Sequence, residues 1–438
     1  MEVEIYFKFI LGFVLILIAA KIGGVLVERF LKQPAVIGEL LAGVVISPFA
    51  LGGLIFGSDP IILNFAHIPF EHLSEWGLSG DGHFSVMEVI SEIAVIVLLF
   101  VAGVETDVRS FVRQARLGTL VAVGGVLLPF VFGYLMTMVF FPEAPNTAKL
   151  FMGAVLVATS IGITVRILMD MGKLHTRAGT TILVAAVIDD IIGIVVLSVV
   201  ASIAQTGAVE AGHIAVVTVA GFAVWLLLLF VGVKFHRQIS RFILRPFKNS
   251  EAIPIVALLV GFLISYLVTL VDLHPVVGAY VAGLMFSACA EKEEIIDKIR
   301  PIMLFLAPFF FCYLGMQVDV PAMAPVAAFA AVLVVLAVIG KIIGCYLPSK
   351  FVGRFSNNEA MIVGVGMVPR GEVGLIVAGV GMLIPGALGT DDMARELFGA
   401  AVAVSLFTTL LTPIMLKPFF RRAVKVEAKQ DVKHEAGS

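Results

Sequence analysis

The feature that most constrains this chain is a succession of long apolar runs separated by short polar breaks. A bilayer core about 30 Å thick needs about 20 apolar residues per helix. Thirteen segments of that size can be marked off, at approximately 6–30, 34–53, 86–104, 117–141, 148–170, 177–204, 213–234, 252–271, 274–290, 299–317, 322–346, 358–384 and 396–420. Of the 438 residues 60% are hydrophobic and only 14% charged, well outside the range of a soluble domain. The pattern predicts an all-α polytopic membrane protein with membrane lipid as its surroundings. The first run follows Glu2 and Glu4, and is too long and too acidic at its start for a cleaved signal peptide. A net charge of −2, with basic residues scattered among short loops, gives no footprint for nucleic acid. Cys289, Cys312 and Cys345 lie far apart in apolar surroundings and read as small buried side chains.

Loop charge tests the helix count, because Lys and Arg concentrate on the cytoplasmic side. The connections after segments 1, 3, 5, 7, 9 and 11, with the C-terminal end, hold 23 of the 30 Lys and Arg, whereas the opposite set holds two, Lys149 and Arg395. An odd number of helices, with the N-terminus outside and the C-terminus in the cytoplasm, is the expectation. Residues 54–85 then form an extracellular loop. It carries His67, His72 and His83 with Glu71, Glu75 and Asp81, and reads as a solvated loop more readily than as a metal or pH-sensing site. Residues 421–438 are expected as a cytoplasmic tail.

Short internal matches keep their order along the chain. "PAVIGELLAGVVIS" aligns with "HPVVGAYVAGLMFS", "GVETDV" with "GMQVDV", and Gly162 and Arg166 with Gly366 and Arg370. Each pairs segment n with segment n+7. An odd displacement inserts the two halves with opposite orientation, the inverted-repeat plan of secondary transporters.

Charges inside membrane segments are functional candidates by default. Here they are Glu39, Asp189, Asp190, Lys341, Arg370 and Glu372, with Arg166 nearer a cytoplasmic end. Asp189 and Asp190 diverge by about 100° on a helix and cannot face one partner. One can meet a fixed counter-charge, for which Lys341 is the natural candidate, while the other faces a water-filled cavity. "ATSIGITVR" and "GVGMVPRGE" interrupt apolar segments at corresponding places in the two repeats, the second with Pro369. Discontinuous helices in matching positions point to an ion site near the bilayer midplane, to which Thr159 and Ser160 can add hydroxyl oxygens. Close helix packing by small residues is the alternative reading of Gly162 and Gly366.

"PAVIGELLAGVVIS", "ATSIG", "VIDDIIG" with the later Lys341, and "PRGEVGLIVAGVG" together resemble the second cation:proton antiporter family, including its NapA-like and Kef-type sodium or potassium/proton antiporters. The likeness runs in order over about residues 6–420. It implies thirteen helices with crossed discontinuous helices, and a homodimer in a prokaryotic-type inner (plasma) membrane. It also implies dimerisation and gating helices at about 6–104 and 213–317, and core helices at about 117–204 and 322–420. Carried over by position, Asp190 resembles the aspartate that binds cation and proton, Asp189 the one that pairs with a lysine, and Lys341 that lysine. Arg370 and Glu372 resemble charges that support the helix crossing. Some relatives have an aspartate where Ser160 stands. Potassium-efflux relatives carry a large nucleotide-binding domain; the chain ends about 18 residues after the last segment, so no nucleotide-binding regulatory domain is expected.

The function these residues imply is exchange of a monovalent cation, Na⁺ or Li⁺ with K⁺ as the alternative, for H⁺ by alternating access. No cofactor beyond the transported ions is expected, and no enzymatic reaction. An intramembrane aspartyl protease is disfavoured because adjacent aspartates cannot flank one scissile bond. A cation channel and a sodium-coupled solute symporter are the rivals from other classes.

Overall fold

The structure, a computed structural model, describes residues 2–47, 50, 86–206, 241–247, 251–270, 273–318 and 320–435, with isolated positions between 223 and 238. Among these residues the regular structure is helical. The first group comprises α1 (Glu2–Leu26, continued by a π-helical turn to Leu31), α2 (Ala35–Ile46) and α3 (Val86–Glu105). Next come α4 (Val108–Phe140), α5 (Asn146–Val157), α6 (Ile161–Asp170) and α7 (Arg177–Thr206). They are followed by α8 (Ile253–Thr269), α9 (Pro275–Phe286) and α10 (Lys292–Met316). The last are α11 (Ala327–Phe351), α12 (Asn357–Gly366), α13 (Glu372–Leu383) and α14 (Asp391–Glu435).

Eight of these stretches are long and apolar enough to cross a membrane, and four shorter helices are apolar as well. Apart from isolated positions, the expected segment 213–234 lies outside the described residues, as does the loop 54–85 with its histidines, so thirteen helices are not established. Several boundaries differ from the sequence expectation. Asp107 accepts a hydrogen bond from the Ser110 amide and starts α4 ahead of residue 117. Arg109, Arg113 and Arg116, expected in a loop, therefore lie on the first turns of a helix. A side-chain cap outweighs local polarity at this end. The residues expected as a tail from 421 continue α14 to Glu435.

The described helices pack in two groups. In one, α3 lies against α9 and α10, α2 against α1 and α10, and α8 against α9; in the other, α4 lies against α5, α7 and α11, with α12, α13 and α14 beside them. Without a hydrophobic drive between helices in lipid, close backbone approach carries the packing. At the α4–α11 crossing a Cβ on Gly124 would meet the Gly344 carbonyl oxygen, and at the α3–α9 crossing a Cβ on Gly103 would meet that of Tyr280. Within the second group two helices are broken. Residues 158–160 separate α5 from α6, and 367–371 separate α12 from α13.

Candidate ion site beside the helix crossing

The two breaks cross and satisfy each other. Ser160 caps α6 by accepting from the Ile163 amide at 3.4 Å, and its own amide donates to the Pro369 carbonyl at 2.9 Å. The Thr159 and Thr164 hydroxyls donate to the carbonyls of Met367 and Gly366 at 3.3 and 3.1 Å. Pro369, which brings no amide proton, lies within the α12–α13 break. A broken helix leaves backbone groups without intrahelical partners, and inside a membrane these must be met by protein.

Arg370 completes the crossing. It is wholly buried (0% exposed), with Nε and Nη2 donating to the Leu156 carbonyl at 3.0 and 2.7 Å. Nη1 donates to Val368 O at 2.9 Å and Nη2 also to Ala337 O at 3.2 Å. Leu156 is in the last turn of α5, so the guanidinium sits where a helix presents its negative end. From α14, the Ser405 and Thr409 hydroxyls donate to the Arg370 carbonyl, and the Arg370 amide donates to the Thr408 hydroxyl. Glu372 is the first residue of α13; its side chain lies outside the described residues.

The aspartates sit midway along α7, past the crossing. Lys341 of α11 donates to both carboxylate oxygens of Asp189 at 3.1 Å each, and the two side chains are 0% and 1% exposed. Such a pair is held only because each partner removes the other's unpaired charge from a medium that cannot solvate it. Asp190, one residue further and turned about 100° around the helix, lines a cavity of about 410 Å³. Its walls include Ala158 at the α5–α6 break, Gly193 and Ser198 of α7, His274 at the start of α9, and Val377 of α13. Thr159 and Ser160 are at the crossing, next to the Ala158 wall, and are fully buried. The site thus draws on both helix groups, with α9 facing α5, α7 and α13 across the cavity.

One cluster was not anticipated as a cluster. Arg166 of α6 pairs with Glu39 of α2 at 3.4 Å and with Asp170 one turn on at 2.9 Å, with its guanidinium 5.9 Å from the Phe311 ring centroid. Glu39 and Arg166 stand out in the sequence as charges in apolar segments, and their opposite signs were the signal for pairing them. The cluster ties α2 to α6, just ahead of the start of α7. Among the described residues no three His, Cys, Asp or Glu side chains gather as a metal cage.

Comparison with known proteins places this architecture. The chain is 33% identical to the high-affinity Na⁺/H⁺ antiporter NhaS3 of Synechocystis, over 96% of this chain and 92% of that protein. It is 35% identical to the Na⁺/H⁺-K⁺ antiporter GerN of Bacillus cereus, over 94% of this chain and 97% of that protein. Its fold matches the solved sodium proton antiporter MjNhaP1 of Methanocaldococcus jannaschii with a TM-score of 0.60, at 17% identity, over 94% of this chain and 96% of that one. Residues 14–422 match the transmembrane sodium/hydrogen exchanger family. The chain therefore belongs to the sodium/hydrogen exchanger family, a family of integral membrane cation:proton antiporters rather than enzymes.

Proposed function

We propose that this protein exchanges a monovalent cation, Na⁺ in preference to K⁺, for H⁺ in the plasma membrane, and that Asp190 is the group the two ions share. The observation that carries this reading is the contrast between neighbours: Lys341 holds Asp189 while Asp190 lines the cavity. The Asp190 carboxyl can carry a proton or, once ionised, neutralise a partly dehydrated cation, but not both at once. Each ion displaces the other. Thr159 and Ser160, adjoining the Ala158 wall, supply hydroxyl oxygens to the cation, a donor type suited to hard ions.

Obligatory exchange follows if the loaded carboxylate crosses the barrier between access states and the empty, charged one does not. The supporting asymmetry is that the cavity lies along the C-terminal half of α7, whereas the Glu39–Arg166–Asp170 cluster lies toward its N-terminal end. By the positive-inside pattern the cavity end is extracellular and the clustered end cytoplasmic. The N-terminus is then outside and the C-terminus inside. The helices α4–α7 and α11–α14 act as the transport core, moving against the group with α1–α3 and α8–α10, which also forms the contact of a homodimer. Arg370, with Pro369 and Glu372, supports the crossing. Transport is electrogenic, Lys341 giving up a second proton when the incoming cation draws Asp189 away. The ions are cargo, and the exchange needs no cofactor.

The test is Asp190→Asn in proteoliposomes with a pH-sensitive dye inside. Proton movement driven by Na⁺, Li⁺ or K⁺ is expected to fall to the level of empty vesicles. Undiminished exchange would remove the shared-carboxylate account, and the order of the three cations in the unmodified protein settles the selectivity. Cation flux without proton coupling would instead favour a channel or a symporter.

A further inference from the structure

A second concave site lies at the other end of α7 from the Asp190 cavity. It is a recess of about 710 Å³ into which three separate chain segments converge. The first turns of α4 contribute Ser110, Arg113 and Arg116, and the start of α7 contributes Arg177 and Thr180, with His175 just before it. The backbone after α11 at Gly353 closes the third side. Among the described residues no carboxylate lines it.

Among the described residues none of Arg113, Arg116 and Arg177 has a carboxylate within salt-bridge distance. Arg177 is oriented by other means: it donates to the Gly353 carbonyl at 2.8 Å and stacks on the Phe355 ring at 4.1 Å. Arg113 and Arg116 are three positions apart on α4, hence on one face, and both are solvent-exposed. The nearest acid in sequence, Asp107, is occupied in capping α4. The positive-inside rule accounts for the sign of these charges. It does not account for their convergence, with an imidazole and two hydroxyls, on one recess whose size lies within the range of small-molecule sites.

We propose that this recess binds a phosphate-bearing anion, supplied as the headgroup of an anionic lipid or as a soluble organic phosphate. A planar guanidinium matches two oxygens of a phosphate at once, and several around one recess discriminate a multiply charged phosphate from chloride. The site is made at the ends of α4, α7 and α11, which belong to one packing group. α7 links it to Asp189 and Asp190, and α11 links it to Lys341, so an occupant bridges the ends of the two helices that carry the membrane charges. The binding claim does not depend on the ion-exchange reading, and its test measures no transport.

The experiment is thermal unfolding of the full chain in neutral detergent, with two probes. One is inorganic pyrophosphate, compared with sodium chloride at equal ionic strength; the other is phosphatidylglycerol, compared with phosphatidylcholine. Arg113→Gln combined with Arg116→Gln removes two exposed guanidiniums that hold no hydrogen bond or ion pair among the described residues, and Arg421→Gln with Arg422→Gln serves as a control of equal charge change elsewhere. Because a ligand that binds only the folded state raises its stability by mass action, the midpoint is expected to rise by several degrees with at least one probe. The rise disappears in the Arg113/Arg116 variant and persists in the control. Stabilisation by pyrophosphate assigns a soluble phosphate, and stabilisation by phosphatidylglycerol alone assigns a lipid headgroup. The proposal is overturned if neither probe exceeds its comparison, if the rise survives in the Arg113/Arg116 variant, or if the control loses it equally.

Discussion

The crossing around Arg370 and the cavity around Asp190 adjoin each other, and both bring a charge into the membrane interior, yet they are built on opposite terms. At the crossing, each nitrogen of the guanidinium donates to a backbone carbonyl of Leu156, Val368 or Ala337, and three hydroxylated residues of α14 close the far side. At the cavity, a carboxylate borders open space walled largely by apolar and small side chains. The first region is scaffold: taking any partner away strands a buried polar group. The second is a place where an occupant can come and go. Lys341 and Asp189 belong with the scaffold by geometry, although they touch the site through Asp190.

The largest effect is expected where the scaffold is broken. Arg370→Ala leaves the buried Leu156 and Val368 carbonyls at the helix breaks unmet, at about 1–3 kcal/mol each, and should give little folded protein, read as yield and midpoint of thermal unfolding in detergent. Arg370→Lys should recover only part of this, since an ammonium cannot reproduce the fork. A stable, active Arg370→Ala protein would erase the distinction between the two regions.

Next is Lys341→Ala, which strands the Asp189 carboxylate and should cost about 3–5 kcal/mol. Exchange should be lost or, where it survives, be insensitive to an imposed membrane potential. Lys341→Met with Asp189→Leu should recover stability but not voltage dependence. Full, voltage-driven exchange by the single variant would remove Lys341 from the mechanism.

Glycines sharpen the contrast at smaller cost. A methyl at Gly124 would run into the Gly344 backbone, so Gly124→Ala should destabilise by about 1–3 kcal/mol. At Gly193 nothing lies within 4 Å of an added Cβ. Gly193→Ala should therefore be neutral or stabilising by up to about 1 kcal/mol, while the narrower cavity raises the KM for the cation. Equal destabilisation of the two would mean that the cavity is as tightly filled as the scaffold.

The smallest effect is at Asp107, outside the membrane segments. The hydrogen bond from Ser110 holds its carboxyl below the usual carboxylate range. A carboxyl lowered by folding stabilises the protein at neutral pH, and that contribution is lost as pH falls through its folded value, below about pH 4. Asp107→Ala should cost about 1 kcal/mol at pH 7, and the difference from the unmodified protein should shrink on acidification. A constant difference would assign the loss to packing instead of the cap.

Much of this was legible in the sequence, for reasons that differ by residue. Hydropathy marks membrane segments because lipid admits no exceptions to apolar length, and each expected segment other than 213–234 coincides with a described helix. The positions of the two breaks were readable because Pro369 and the run of Thr159 and Ser160 cannot continue an apolar helix unchanged. The partner of Arg370 was not readable: it is bound by carbonyls, and a carbonyl has no signature in a sequence. For the same reason the early start of α4 was missed, since a single cap at Asp107 outweighs a polar stretch that reads as loop. The Glu39–Arg166–Asp170 cluster joins residues 127 positions apart and was visible only as two charges seeking partners.

The most direct test of the shared carboxylate is equilibrium binding of ²²Na⁺ to the purified protein across a range of pH, with proton release recorded in parallel by titration in weak buffer. Competition at Asp190 predicts that on the acid side the apparent Kd rises at least about tenfold per pH unit, and more steeply where Lys341 releases its proton too, that Na⁺ binding expels protons, and that Asp190→Asn abolishes both. Na⁺ affinity that does not change with pH, or binding that releases no proton, would contradict the account.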